Sequence, residues 1–385
     1  MNDTLRKALL PSGLSDTLMP DAAFEADMIE LMLGAFAAWG YERVKPPLVE
    51  FEASLLDGPG GAIAAQMFRV MDPVSDRMMA IRADITPQVA RIATSRLRNA
   101  ARPLRLSYAG PVLQVKGTEL KPEREITQVG IELIGSTALA ADAEVIAATA
   151  DALRSVGIAE PSFDLTMPNL VPLVCAAMKL DAETAAHART ALDRKDAGAL
   201  HALTGLTASQ RTVLAGMLSA AGSAESCVGA LQAAKLGSAA EALVRDLGTV
   251  VSHVRSALPD LRLTVDPVEF RGLEYQTGIS FTVFARGVTE ELGRGGRYPL
   301  ASGETATGAT LFMGSVLQGV PARAATRSLY LPFGTTAAQA ARARAEGWTT
   351  RAALESDASS RSAAAAQGCT HILEGGAPKP LPSRT

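Results

Sequence analysis

Residues 108–135 read YAGPVLQVKGTELKPEREITQVGIELIG, and how this stretch folds decides the rest. With RLS in front of it, it holds two runs of alternating character, RLSYAGPVLQVKG and EITQVGIELIG, around the polar stretch GTELKPERE. A period of two belongs to a strand whose faces meet different surroundings, and two such runs around a polar loop predict a long hairpin. On the second run Val129, Ile131 and Leu133 share one face, expected to pack on helices. Gln128, Gly130 and Glu132 share the other, expected to meet something polar, with Gly130 leaving room for a ligand.

Toward the C-terminus, a helix is predicted from about 138 to 156, ended by Gly157. An Ala- and Leu-rich region from about 168 to 258 reads as several helices, an inserted helical subdomain. Strand signals return in LRLTVDPVEF, ISFTVFARG and TGATLFMG. GRGGRY at 293–298 reads as a glycine-rich turn; the competing reading uses its backbone N–H groups with Arg294 and Arg297 to bind phosphate. From Ser328 onward SLYLPFG, TTAAQAARARAEG, TTRAAL, SDASSRSAAAAQG and THILEGG alternate strand with helix, which predicts a small parallel α/β domain over 325–385 behind a core of 1–324. The tail APKPLPSRT is expected to fray.

Toward the N-terminus, TPQVARIATSRLRNA opens with Thr86 as a possible cap and Pro87 at the first helical position. QMFRVMDPVSDRMMAIRAD breaks at Asp72-Pro73 into a hairpin. In YERVKPPLVEF, Pro46 and Pro47 withhold backbone donors, the habit of an edge strand or an interface. Residues 21–40 form an amphipathic helix, with Asp21 available as N-cap and Gly40 as terminator. Lys121 and Arg124 in the hairpin loop read as a solvated charge cluster.

The chain has 385 residues, 48% of them hydrophobic and 20% charged, enough for a sizeable core and for two or three domains. Its 37 Lys and Arg against 40 Asp and Glu leave a net charge of −3, which does not favour a nucleic-acid partner. No apolar stretch approaches a membrane span, and a cytosolic location is expected. Cys175, Cys227 and Cys369 lie far apart and read as reduced thiols. Four scattered histidines show no helical metal spacing, so neither a metal site nor a cofactor is expected.

Across roughly residues 10–320 the chain resembles the class II aminoacyl-tRNA synthetases, specifically histidyl-tRNA synthetase and its biosynthetic relatives. WGYERVKPPLVE looks like the first class II motif, which makes the dimer interface; the hairpin aligns without gaps to the second. FRGLEYQTGISF and GRGGRY look like the two histidine-specific segments. The resemblance implies an α+β fold: a class II synthetase-like antiparallel sheet flanked by helices, with the helical insertion and the small C-terminal domain attached.

It also implies a histidine cradle. Asp84 and Thr86 stand where the family binds the ammonium, Gln128 assists them, Glu132 faces the imidazole, Arg271 addresses the carboxylate, and Tyr275 is a candidate ring contact. These side-chain types match such a ligand, since an ammonium seeks acceptors, a carboxylate the guanidinium fork, and a ring N–H a carboxylate. The family usually has glutamate at Asp84 and tyrosine at Gln276. Bland readings stand beside these: Asp84 and Thr86 as turn and cap, Gln128 and Glu132 as a solvated sheet face, Arg271 as the partner of Glu269 or Glu274.

The nucleotide side departs from the pattern. Gln114 and Lys116 stand where the family carries an ATP-binding arginine and glutamate, and Ser315 near a third-motif arginine. Losing one such charge-stabilising donor costs about 10²–10³ in rate, so ligase chemistry is not expected. The C-terminal piece is also about half the size implied for an anticodon-binding domain. The profile therefore resembles the non-catalytic regulatory subunits that partner a short-form ATP phosphoribosyltransferase. That implies a homodimeric core, a hetero-oligomer with the catalytic subunit, histidine as feedback effector, and no tRNA. The alternatives are a histidine-specific ligase that charges tRNA or a carrier, and a free-standing histidine-binding structural protein.

Overall fold

The computed structural model describes residues 9–56, 58–118, 121–269, 276–322, 327–356 and 360–382. Two compact units appear, Met1–Pro321 and Ala322–Thr385.

In the first unit, α1 (Asp21–Ala38) leads to β1 (Glu42–Arg43), β2 (Val49–Phe51), α2 (Glu52–Leu55), a 3-10 stretch (Gly58–Gln66), β3 (Arg69–Met71), β4 (Met78–Ile81) and α3 (Thr86–Thr94). The long hairpin is β5 (Leu104–Leu113) with β6 (Glu125–Ile134), followed by α4 (Leu139–Ser155) and β7 (Pro161–Thr166). Helices α5 (Leu170–Ala177), α6 (Ala182–Asp193), α7 (Ala197–Ala202) and α8 (Ala208–Ser219) come next, then the two-residue β8 (Gly222–Ser223), α9 (Ala224–Ala233) and α10 (Ser238–Ala257). Strands β9 (Arg262–Asp266), β10 (Ser280–Ala285), β11 (Gly293–Pro299) and β12 (Thr305–Phe312) return to the sheet, and α11 (Met313–Gly319) closes the unit. The architecture is α+β.

Nine strands form one sheet in the order β1-β5-β6-β12-β11-β10-β7-β9-β8. Its centre is antiparallel: β6 lies between β5 and β12, with Gly130 opposite Tyr108 on one side and Thr310 on the other. Val129, Ile131 and Leu133 enter the main core, and α4 packs there with an almost unbroken buried run from Ala141 to Leu153 that is rich in alanine. Alanines let the helix axis approach the sheet closely at little entropic cost. Phe163 and Phe281, from adjacent β7 and β10, meet as a tilted pair with ring centroids 5.5 Å apart and planes inclined by 55°.

Local signals fix the helix ends. Asp181 accepts from the Thr184 N–H at 2.8 Å to start α6, and Thr207 with Gln210 forms a reciprocal capping box on α8. Gly40 ends α1 at a φ of +83°, as the sequence indicated. Asp21 does not cap that helix: it is the first helical residue, after Pro20. Thr86 caps nothing either, since it is already inside α3 and its N–H is bonded to Asp84 Oδ1 at 3.2 Å.

Two loop readings need correction. GRGGRY is no turn but most of β11, paired along both sides with β10 and β12. The Lys121–Arg124 cluster is anchored: Arg124 donates to the carbonyls of Gln114 and Ser12 and lies over the Phe68 ring, and Lys121 pairs with Glu290 at 3.2 Å.

In the second unit β13 (Ser328–Leu331), α12 (Ala337–Ala345), β14 (Thr349–Ala352), α13 (Ser360–Ala366) and β15 (His371–Glu374) make a parallel α/β layer. The tail does not fray where APKP lies: Ala377–Pro380 is β16, antiparallel to β15 across Gly375-Gly376. No helix among the described residues is long and apolar enough to cross a membrane.

Candidate functional site

A cavity of about 820 Å³ opens over the middle of the nine-stranded sheet. Asp84, Thr86, Gln128 and Glu132 all line it. Arg271 and Tyr275 lie outside the described residues. The solvated-face reading of Gln128 and Glu132 fails, because they are 5% and 1% exposed.

The strand period explains the convergence. Residues of β6 that alternate with the buried Val129, Ile131 and Leu133 project to the opposite face, where β5 and β12 add theirs. Tyr298 donates to Glu132 Oε2 at 2.7 Å. Tyr108 reaches Glu132 Oε1 at 3.5 Å, and its hydroxyl also meets Thr310 Oγ1 at 2.7 Å and Thr86 Oγ1 at 3.3 Å. Burial raises the Glu132 pKa to about 8, the hydroxyls of Tyr298, Thr86 and Tyr108 pulling downward and the nearby Asp84 upward. Burial thus favours the protonated acid, and a hydrogen-bond donor placed beside Glu132 favours the carboxylate.

Gln128 uses its Oε1 to accept from the Ile85 N–H at 3.1 Å, which fixes the chain just before α3. Asp84 sits there, half-buried; burial raises its pKa, while hydrogen bonds from Thr86, Ile85 and Gln128 lower it. Carboxylate, hydroxyl and amide thus converge at the foot of α3, a fair seat for an ammonium.

Glycines keep the floor open, though not all as expected. A Cβ at Gly130 would lie 2.4 Å from the Tyr108 hydroxyl and 2.5 Å from the Ala309 carbonyl, so that glycine makes room for protein, not for ligand. A Cβ at Gly308 would lie 1.9 Å from Glu132 Oε2. Sequence reasoning missed Tyr108, Thr310 and Tyr298. Tyr108 was readable, since hairpin alternation sets it opposite Gly130; Tyr298 was hidden by reading GRGGRY as a turn.

The other end of the cavity is acidic. Asp16, Glu25, Glu123, Glu125, Glu290 and Glu291 line it. The lysine and arginine in its described lining are Lys121, paired with Glu290 at 3.2 Å, and Arg294, paired with Glu291 at 2.7 Å. Ser315, buried, donates to Glu290 at 2.9 Å, and Gln114 also lines the space, whereas Lys116 is exposed and stands outside it. Cys175, Cys227 and Cys369 are free and buried, and the described residues hold no cluster suited to a metal ion.

Comparison with known proteins gives a consistent family. The model of the family described as histidyl-tRNA synthetase matches residues 13–316. An ATP phosphoribosyltransferase regulatory subunit of Paramagnetospirillum magneticum is 52% identical over 373 residues, covering 97% of this chain and 98% of that protein. The protein of the same description from Rhodospirillum centenum is 51% identical over 370 residues, covering 96% of this chain and 95% of the other. Among solved structures, one from Bacillus halodurans, described as an ATP phosphoribosyltransferase regulatory subunit/histidyl-tRNA synthetase, superposes with a TM-score of 0.79 at 22% identity, over 93% of this chain and 96% of that one. At that identity the likeness speaks for the fold alone.

Proposed function

The chain belongs to the histidyl-tRNA synthetase family and, within it, to the ATP phosphoribosyltransferase regulatory subunits, and from that premise we propose that it is a histidine sensor without ligase activity of its own. It serves a short-form catalytic subunit in a hetero-oligomer, raises that subunit's rate, and conveys feedback inhibition by histidine at the first step of histidine biosynthesis. Its own core pairs as a homodimer, and tRNA is not a substrate.

One observation carries the reading: the cavity is furnished for an amino acid at one end and hostile to a triphosphate at the other. Asp84, Thr86 and Gln128 offer acceptors for the ammonium, and Glu132 an acceptor for a ring N–H. Arg271 and Tyr275 complete the proposed set at the carboxylate and the ring. At the far end the carboxylates outnumber Lys121 and Arg294, both of which are already paired. Phosphoryl chemistry needs cations aimed at developing negative charge; here Ser315 binds Glu290 instead. Gln114, Lys116 and Ser315 thus support a nucleotide site that has degenerated.

Two measurements test this. Purified alone with histidine and ATP, the chain should give no pyrophosphate exchange above background; clear exchange would favour the ligase reading. Mixed with the short catalytic subunit from the same cell, it should raise the phosphoribosyltransferase rate, and histidine should lower that rate again. No effect and no co-purification would overturn the regulatory reading.

A further inference from the structure

A cation lies buried two residues before Asp84. Arg82 follows β4 and is 4% exposed, and among the described residues its guanidinium donates to neutral oxygens only. Nε donates to the Pro111 carbonyl at 2.8 Å, and Nη1 to the Pro46 carbonyl and to Gln88 Oε1, both at 3.2 Å. Gly110 of β5 makes the room: a Cβ there would lie 2.5 Å from Arg82 Nη2. Burying a charge without a carboxylate partner is costly, and an apolar side chain would fill the space without that cost. The guanidinium must do something that such a side chain cannot.

Its three acceptors belong to three different pieces of chain: Pro46 to the segment before β2, Pro111 to β5, and Gln88 to α3. Gln88 extends the tie, donating from Nε2 to the Pro47 carbonyl at 2.7 Å. The main chain at 82 is held as well, since its N–H donates to the Leu48 carbonyl at 3.1 Å and its carbonyl accepts from the Leu113 N–H at 3.0 Å. Three residues on, the Ile85 N–H is held by Gln128. Asp84 thus sits on a short span fixed at both ends, by Arg82 before it and by Gln128 after it. Two carboxylates, Glu50 and Asp84, act electrostatically on the guanidinium. Glu50 already has its own cation, Arg91, at 2.6 and 2.8 Å. Asp84 is left as the carboxylate that the buried charge serves, and because the attraction is mutual it favours the ionised acid that an ammonium needs.

We infer that Arg82 is a positioning residue for the ammonium seat: by locking Pro46, Pro111 and α3 around one guanidinium, it sets where Asp84 stands. Ala83, Asp84 and Thr86 line the cavity and Arg82 does not, so it acts through the span it anchors and touches no ligand. The inference rests on the histidine reading above and adds to it a residue behind the site. Preorganisation of this kind shows in one part of the ligand only, the part that Asp84 meets.

Calorimetry on the full chain tests it, with histidine and imidazolepropionate, which is histidine without its ammonium, as ligands. The wild-type chain should bind histidine about 10- to 150-fold more tightly than imidazolepropionate, the factor that goes with a hydrogen bond to a charged group. In Arg82→Met that ratio should shrink by about five-fold or more, because histidine loses affinity and imidazolepropionate does not. Gly110→Ala keeps the guanidinium but pushes it off its place, and should shrink the ratio in the same direction with the charge intact. A merely structural role would weaken both ligands together. A ratio at its wild-type value in both variants, whether or not the two affinities fall in parallel, would overturn the inference and leave the histidine reading standing. A wild-type chain that gives no heat with histidine would overturn both.

Discussion

Replacing Glu132 with glutamine should weaken histidine binding by about 10- to 150-fold, the factor corresponding to the 1.5–3 kcal/mol of a hydrogen bond to a charged group. The glutamine keeps the shape and the contact with Tyr298, so the change isolates charge. Histidine should then fail to inhibit the reconstituted transferase at concentrations that silence the wild type, while activation by the chain persists. Unchanged affinity by calorimetry would place the ligand elsewhere.

The same variant carries a signature in stability. The Glu132 pKa in the folded chain, about 8, lies above its ordinary value of 4.5, chiefly through burial. The folded state thus holds a proton that the unfolded chain releases. The stability this gives is fully present below pH 4.5 and is lost as pH rises through about 8. Glutamine cannot ionise, so Glu132→Gln should gain on the wild type from pH 6 to pH 9, by a few kcal/mol at most. Urea unfolding at the two pH values reads the difference. A constant gap would mean that Glu132 ionises freely in the folded chain.

Legibility in the sequence followed the range of the forces involved. The β5–β6 hairpin and the cavity-facing Gln128 and Glu132 were readable because alternation is local and spans whole strands. GRGGRY misled because glycine signals two opposite things. In a loop it frees the backbone, but in β11 it lets strands and side chains come close: a Cβ at Gly295 would sit 2.2 Å from the Phe281 ring. Only the neighbours distinguish these cases, and they lie far off in sequence. Lys121 and Arg124 failed for the same reason, since Glu290, Ser12 and Phe68 are remote. The tail, by contrast, carried its own signal. Gly375-Gly376, with φ of +59° and +77°, suits a two-residue turn between paired strands, and Pro378 and Pro380 are tolerated because β16 is an edge.

Arg297→Leu should cost about 3–5 kcal/mol of unfolding free energy, the loss expected when one partner leaves a buried ion pair. Arg297 donates to both Asp142 oxygens, at 2.6 Å in the closest contact, and to the carbonyls of Ser136 and Ala138 at the start of α4. Asp142 is 2% exposed; burial raises its pKa, and Arg297 and the Thr307 hydroxyl lower it. Without the guanidinium the balance tips toward the protonated acid. The variant's deficit should therefore be smaller at pH 5 than at pH 8, as fits a carboxyl whose folded-state pKa has moved up. Adding Asp142→Leu should restore much of the loss, because no buried charge then remains unpaired. Histidine binding should fall in the single variant too. Arg297 and Thr307, opposite each other on β11 and β12, hold Asp142 on one face of the sheet, while their neighbours Tyr298 and Gly308 meet Glu132 on the other. A clamp on one side of a strand fixes the register of the site on the other. Wild-type stability in Arg297→Leu, measured by urea unfolding, would show that the clamp does not bear on the fold.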